Sequence, residues 1–280
     1  MLRAMRPHQW LKNILIFVPA ATSHRIVEWN TFLPVAVAFL SFSLCASAGY
    51  IVNDLLDLQA DRKHPEKCHR PFASGALSPT SGRVAVVLLV LFALGSAWFV
   101  STRCFLFVCG YLVLSAAYSA ALKLVPLVDI FLLSSFYTLR IFLGGEAAGV
   151  TVSFWLAAFS TFFFYSLATV KRFTELKGVA APRRGYQADD LSMLGLWGTA
   201  SGCASVVVLA LYINSAEVTR LYHQPAFLWP VCVAFLFWLN RIWMLANRGA
   251  LPHDPILFAV RDWPSYVVAG CVLLSVLLAI

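Results

Sequence analysis

The chain has 280 residues, of which 60% are hydrophobic and only 12% are charged, and its formal net charge is +8. With a mean hydropathy of +0.78, this composition offers less polar surface than a water-soluble domain requires. Apolar stretches of about 20 residues recur along the chain, and each is long enough to cross a hydrocarbon core of ~30 Å. We therefore predict a single all-α integral membrane domain over residues 1–280.

Apolar runs that are interrupted by charged residues, Pro or Gly predict about nine transmembrane helices. Their expected positions in chain order are 13–29, 31–52, 82–101, 104–122, 126–145, 151–170, 191–213, 226–246 and 264–280. Nine crossings place the two termini on opposite sides of the membrane.

The basic residues are distributed unevenly between the two faces of this arrangement. Most Lys and Arg residues lie in the N-terminal arm and in segments 53–81, 123–126, 171–190 and 247–263, which share one face. The positive-inside bias makes this face cytoplasmic, with the C-terminus outside, in the plasma membrane. The net charge therefore needs no nucleic-acid partner to explain it, and the sequence leaves open whether the chain forms a homo-oligomer.

The segment "NDLLDLQADRKHPEKCHRPFASG", residues 53–75, is the most polar part of an otherwise apolar region. If the second helix continues through it, one amide and three carboxylates lie within an arc of about 100°, and carboxylates this close repel one another unless a cation binds among them. Oxygen ligands of this kind suit Mg²⁺. The predicted metal ligands are Asn53, Asp54, Asp57 and Asp61.

The residues that follow can bind phosphate. Lys67 and Arg70 can contact phosphate oxygens, and the small residues of "RPFASG" can allow backbone amides to approach an anion. An ordinary solvated helix end is the alternative interpretation of the whole segment.

A second basic segment follows the sixth predicted span. Lys171, Arg172 and Glu175 share one side of a helix that extends from the membrane, and Arg184 and Tyr186 follow a break at Pro182. This segment is either a topology signal or a site for a second phosphate.

Two charged residues fall inside or beside the fifth span. Arg140 lies near mid-membrane, where charge is expensive, so we expect an inward-facing functional role, with a structural ion pair as the alternative. Asp129, at the start of the same span, is expected to pair with Lys123.

The pattern N-D-x-x-D-x-x-x-D followed by R-P resembles the first motif of the UbiA superfamily of membrane prenyltransferases, and "RPHQWLKN" near the N-terminus extends the resemblance. This implies nine helices around a central cavity, with Mg²⁺ and a diphosphate bound under a cytoplasmic cap. Asp54, Asp57 and Asp61 would then be the catalytic carboxylates.

"ADRKHPEKCHRPFASG", "LKLVPLVDI", "LRIFLGG" and "KRFTEL" are similar to one branch, the decaprenyl-phosphate phosphoribosyltransferases. This resemblance implies transfer of a phosphoribosyl group from phosphoribosyl pyrophosphate to a polyprenyl phosphate, with release of diphosphate. Prenyltransferases that act on aromatic acceptors usually carry a second aspartate-rich motif where this chain has "KRFTEL", so such an enzyme is the second hypothesis. A membrane transporter is the third.

Within the first hypothesis, the basic residues divide into two phosphate subsites. Lys67 and Arg70 are predicted to hold the donor phosphates. The lipid phosphate, or the 5-phosphate of the donor, is assigned to Lys171, Arg172 and Arg184, with Tyr186 beside them. Lys12 and Arg140 are the alternative ligands of the lipid phosphate.

Overall fold

The computed structural model describes residues 1–65, 67–178, 185–252 and 254–280, and in these residues the only regular structure is helical. The α-helices are α1 (Leu2–Met5), α2 (Val18–Thr22), α3 (Trp29–Leu56), α4 (Leu58–Lys63), α5 (Pro79–Val100), α6 (Thr102–Ala120), α7 (Val128–Ala148), α8 (Phe154–Lys177), α9 (Asp190–Ile213), α10 (Ala216–Leu221), α11 (Trp229–Asn247), α12 (Pro255–Ala259) and α13 (Trp263–Ala279). Short 3-10 helices cover Lys67–His69, Leu122–Leu124 and Pro225–Leu228, and a longer one covers Pro7–Phe17.

Seven helices in the described residues are long and apolar enough to cross a membrane. They are α3, α5, α6, α7, α8, α9 and the segment Pro225–Asn247, which contains α11. The apolar helix α13 is shorter, at 17 residues. The predicted all-helical class is confirmed, and the predicted count of about nine spans is approximate.

The first predicted span, 13–29, differs most from its prediction. The chain forms an 11-residue 3-10 helix over Pro7–Phe17, continues into the five residues of α2, and begins the next long helix only at Trp29. A 3-10 helix rises ~2.0 Å per residue, so this segment is extended for its residue count. It runs close to the backbone of α7, because a Cβ added to Gly144 would lie 2.0 Å from the Ile16 carbonyl oxygen.

The described chain divides into two compact units. The first consists of residues 1–121 and 139–152, and its central element is α3, which packs against α1, the Pro7–Phe17 segment, α5 and α6. The Ser41 hydroxyl on α3 donates a 2.6 Å hydrogen bond to the Ala93 carbonyl on α5, so a polar side chain in an apolar helix is satisfied by a neighbouring backbone.

The second unit consists of residues 122–138 and 153–280. Here α8 packs against α9, and α11 packs against α8, α9 and α13. The Trp243 indole donates to the Ser166 hydroxyl at 3.1 Å, and it lies where a side chain at Gly198 would otherwise be. At the start of α13, Arg241 donates to both carboxylate oxygens of Asp262, at 2.7 and 2.8 Å.

Candidate active site

The acidic segment of the first unit is built on two helices. Helix α3 ends at Leu56, Asp57 adopts a non-helical turn with φ −87° and ψ 5°, and α4 begins at Leu58. The second predicted helix does continue beyond residue 52, as far as Leu56, and a one-residue break at Asp57 separates it from α4. The four side chains differ in burial: Asp54 and Asp61 are only 2% and 3% exposed, whereas Asp57 is exposed and Asn53 is half-buried.

Arg70 connects the two buried carboxylates. Its Nη1 donates to Asp54 Oδ1 at 3.1 Å and to Asp61 Oδ2 at 2.7 Å. One guanidinium thus bridges the end of α3 and the short helix α4, and it offsets the repulsion between the two acids. The sequence predicts Arg70 in this neighbourhood as a ligand of phosphate, whereas in the structure its partners are carboxylates.

Arg6 is a member of this site that the sequence pattern does not indicate. It lies between α1 and the Pro7–Phe17 helix, and its Nη2 donates to Asp54 Oδ1 at 2.5 Å. Its guanidinium also lies over the Tyr50 ring, 5.2 Å from the centroid. The motif "RPHQWLKN" contains this residue, but nothing in its periodicity shows that the side chain reaches a carboxylate 48 positions along the chain.

The second carboxylate oxygen of Asp54 is the unusual feature of this cluster. Asp54 Oδ2 is buried and has no hydrogen-bond partner among the described residues. A buried carboxylate oxygen without a donor costs free energy unless a cation, water or ligand contacts it. The two buried carboxylates share the Arg70 guanidinium, and one carboxylate oxygen has no partner. This set of oxygen ligands fits a hard divalent ion. Within the described residues no three His, Cys, Asp or Glu side chains form a group that could hold a metal by themselves, so additional ligands would have to come from water or substrate.

The predicted phosphate-binding residues of this segment lie next to the cluster in sequence. Lys67 is half-buried in the 3-10 helix Lys67–His69. The backbone amides of Ser74, Gly75 and Leu77 donate to carbonyls within the same turn, so these amides are used internally rather than left free for an anion.

Arg140 is buried in the first unit. Its Nε donates to Asn13 Oδ1 at 2.8 Å, and Asn13 in turn donates to the Ser43 hydroxyl at 2.9 Å. The guanidinium also lies 4.7 Å from the centroid of the Phe42 ring. This environment fixes the segment that carries Lys12, which is itself buried.

The second unit contains another cluster of charged residues. Arg172 on α8 donates from Nε to Asp129 and from Nη1 to Glu175. Arg172 is 2% exposed and Asp129 is fully buried, so the pair lies away from water. The partner of Asp129 is therefore Arg172 rather than the predicted Lys123.

Tyr186 completes this second cluster. Its hydroxyl donates to Asp129 Oδ1 at 2.6 Å and accepts the Leu127 amide at 2.8 Å. Burial, together with the hydrogen bond to Asp129, raises the pKa of Tyr186 well above its ordinary value, so the hydroxyl remains a donor across the physiological range. Leu127 and Gly185 both have positive φ, and a side chain at Gly185 would clash with the Leu124 carbonyl, so the two loops approach closely here.

Two predicted residues of this segment remain. Lys171 is half-buried on α8 next to Arg172. The prediction for Arg184 lies outside the described residues.

Comparison with known proteins places this geometry in a family. The model of the UbiA prenyltransferase family matches residues 14–259. The chain is 38% identical to "Uncharacterized protein y4nM" of Sinorhizobium fredii over 97% of its own length and 54% of the relative's length, and so spans about half of that protein. It is 38% identical to "Nodulation protein NoeC" of Azorhizobium caulinodans, over 94% of this chain and 88% of the relative.

Two further similarities concern named activities and a solved fold. The chain is 33% identical to the decaprenyl-phosphate phosphoribosyltransferase of Mycobacterium tuberculosis, over 93% of this chain and 87% of the relative. The structure of a UbiA homolog from Archaeoglobus fulgidus bound to GPP and Mg²⁺ superposes with a TM-score of 0.73 and 15% identity, covering 98% of each chain. The family match, the relative that aligns over most of both chains and the apolar helices agree: this chain is an integral membrane protein that belongs to the UbiA prenyltransferase family.

Proposed function

We propose that this protein is a Mg²⁺-dependent enzyme that transfers a 5-phosphoribosyl group from phosphoribosyl pyrophosphate to a polyprenyl phosphate and releases diphosphate. The observation that carries the proposal is the Asp54–Arg70–Asp61 arrangement, in which buried carboxylates lie against an arginine and one carboxylate oxygen is buried without a hydrogen-bond partner. The similarity to decaprenyl-phosphate phosphoribosyltransferases supports the choice of substrates.

The carboxylates of the first unit would hold the metal. Asp54 and Asp61 would contact it, with Asp57 and Asn53 in support, and Mg²⁺ would supply positive charge for the departing diphosphate. Arg70 and Lys67 would hold phosphate oxygens of the donor through charge-assisted hydrogen bonds. These residues keep the leaving group in place while the bond to the sugar breaks.

The bond changes require no strong base. The bond between C1 of the ribose and the diphosphate oxygen breaks, and its electron pair leaves with the diphosphate. An oxygen of the lipid phosphate then forms the new bond to C1, where positive charge has spread onto the ring oxygen. Since the lipid phosphate is already ionised, the protein must orient it and balance its charge but need not remove a proton.

The basic residues of the second unit would differ in their roles. We assign Lys171 and Arg184 to the lipid phosphate or the donor 5-phosphate. The contacts of Arg172 and Tyr186 with Asp129 favour a positioning role for these two residues over the direct phosphate contact that the sequence predicts. Lys12 and Arg140 remain the alternative ligands of the lipid phosphate, although the Arg140 guanidinium is already bonded to Asn13.

A prenyltransferase that acts on an aromatic acceptor is the second candidate, favoured by the family itself and by the similarity to a GPP-bound fold. One experiment separates the two. Purified protein is incubated with Mg²⁺ and either phosphoribosyl pyrophosphate plus polyprenyl phosphates of several lengths, or a prenyl diphosphate plus an aromatic acid, and the products are identified by mass. We expect a phosphoribosylated lipid, and a prenylated aromatic product alone would contradict the proposal.

The orientation in the membrane is part of the same proposal. The uneven distribution of Lys and Arg supports a cytoplasmic N-terminus and an external C-terminus, with segments 53–81, 171–190 and 247–263 all cytoplasmic. Single cysteines introduced into these segments of a cysteine-free variant should react with an impermeant reagent from the cytoplasmic side only. Labelling of 53–81 and 171–190 from opposite sides would overturn this assignment.

A further inference from the structure

Arg6 is held in an unfavourable backbone conformation at the carboxylate site. Its φ of 52° and ψ of 60° lie in the left-handed region, which residues with a Cβ rarely adopt. The side chain is fixed by its 2.5 Å hydrogen bond to Asp54 and by the face of Tyr50. Such a conformation persists where surrounding contacts determine it, and these often belong to functional sites.

At this site the two buried carboxylates are balanced by two arginines. Two guanidinium groups, those of Arg6 and Arg70, contact the two buried carboxylates of Asp54 and Asp61. Both arginines bond to the same oxygen, Asp54 Oδ1, so Oδ2 of that residue stays buried and unpartnered. A divalent cation that binds at Asp54 would therefore meet two positive charges, unless these charges move to an anion that arrives with it.

We propose that Arg6 and Arg70 are exchangeable counter-cations: they neutralise Asp54 and Asp61 in the free protein and transfer their hydrogen bonds to the diphosphate of the donor when Mg²⁺ binds the carboxylates. Arg6 is thereby assigned to the donor site. The inference relies on the proposed function only for the identity of the metal and the anion.

The exchange makes the two ligands interdependent, and it predicts effects of opposite sign when an arginine is removed. Without the Arg6 charge, Mg²⁺ alone should bind about tenfold more tightly, because a competing cation has gone. Diphosphate at saturating Mg²⁺ should bind about tenfold more weakly, because an ionic hydrogen bond to it has been lost. A purely structural role would weaken both, and a fixed anion ligand would weaken diphosphate binding alone.

The test is isothermal titration of the purified full-length protein in detergent. Wild type, Arg6→Gln and Arg70→Gln are titrated with MgCl₂ alone and with inorganic diphosphate at saturating Mg²⁺. Arg62→Gln is the matched control, because Arg62 is an exposed arginine on α4 next to Asp61. Both affinities of this control should stay within about twofold of wild type. Arg6→Lys keeps the charge but loses the planar donor fork, so its affinity for Mg²⁺ alone should stay within about twofold of wild type, and its loss of diphosphate affinity should be smaller than that of Arg6→Gln.

Unfolding temperatures measured in EDTA identify any variant that fails to fold, and the other arginine-to-glutamine variant then carries the comparison. Opposite changes in the two affinities support the exchange. Parallel weakening of both, or an unchanged affinity for Mg²⁺ alone, overturns the exchange but leaves the proposed function intact. If wild type binds neither Mg²⁺ nor diphosphate, the metal-dependent function itself is wrong.

Discussion

Each compact unit contains a cluster of arginine and carboxylate side chains, and the two clusters differ in what they leave available. In the second unit, Asp129 uses both oxygens, one for Arg172 and one for Tyr186, and all three side chains are buried. In the first unit, Arg6 and Arg70 crowd onto one oxygen of Asp54 and leave the other without a partner. The side chain of Arg70 is also 28% exposed, so solvent and ligands can reach it.

This difference separates charge that stabilises the fold from charge that can bind a ligand. When either partner of a buried and fully hydrogen-bonded ion pair is removed, the free energy of unfolding falls. A cluster that is part-exposed and incompletely satisfied has less to lose and can accept a new ion. The same residue types therefore have different expected roles in the two units.

Removal of Asp129 should have the largest effect on stability. Asp129→Ala leaves Arg172 buried without its main partner, so the free energy of unfolding should fall by about 3–5 kcal/mol. Denaturant unfolding in detergent micelles, followed by tryptophan fluorescence, measures this. The double variant Asp129→Asn with Arg172→Met should recover part of the loss, since it removes both charges. A loss below about 1 kcal/mol would show that the two clusters do not differ in this respect.

Removal of a carboxylate from the first unit should instead affect activity. Asp57→Asn and Asp61→Asn should each lower turnover at least about hundredfold, equivalent to ~2.7 kcal/mol of transition-state stabilisation. Asp57→Asn should leave stability unchanged because Asp57 is exposed. Asp189→Asn, an exposed aspartate in the second unit, is the control. Turnover at the wild-type rate in Asp57→Asn, with the same Mg²⁺ dependence, would remove that residue from the metal site.

Tyr186→Phe should have an intermediate effect that distinguishes positioning from phosphate binding. The change removes the donor to Asp129 and leaves the Leu127 amide without its acceptor. The free energy of unfolding should therefore fall by about 1–2 kcal/mol. If the hydroxyl held a phosphate instead, the KM for one substrate would rise roughly tenfold while the unfolding free energy stayed the same. Unfolding and steady-state kinetics on one preparation decide between these roles.

The smallest effect is expected at an exposed ion pair. Arg25 donates to Glu28 at 3.0 Å, and each side chain is a little under half exposed. Glu28→Gln should change the free energy of unfolding by about 0.5 kcal/mol or less, because water screens such pairs. A loss comparable to that of Asp129→Ala would mean that pairing alone, rather than burial, determines the stability of these clusters.

The sequence predicts the local part of the candidate site. Asp54, Asp61 and Arg70 fall within 17 consecutive positions, and short-range spacing at the end of an apolar helix is enough to bring them into one neighbourhood. The break at Asp57 could not be predicted in the same way, because "NDLLDLQAD" contains no Gly or Pro that would mark it. Nor does the spacing predict that Asp57 is exposed while Asp54 and Asp61 are buried.

The sequence does not predict contacts between residues that are far apart in the chain. Arg6 reaches Asp54 from a left-handed turn at a non-glycine position, for which no sequence signal exists. The sequence pairs Asp129 with Lys123, a base near it in the chain, whereas its partner Arg172 lies 43 positions away. A buried acid at a helix start does indicate that some cation must compensate it, but only the packing of α7 and α8 within the second unit selects which one.

The 3-10 winding of Pro7–Phe17 sets the distance between two points at which this segment is attached to the rest of the first unit. Arg6 at one end is bonded to Asp54, and Asn13, seven positions on, is bonded to Arg140. At ~2.0 Å per residue these two attachment points are about 14 Å apart along the axis, against about 10 Å for an α-helix of the same length. Deleting one residue between them would shorten the segment by ~2 Å and rotate one end by about 120°. The hydrogen bonds to Asp54 and to Arg140 could then not both form.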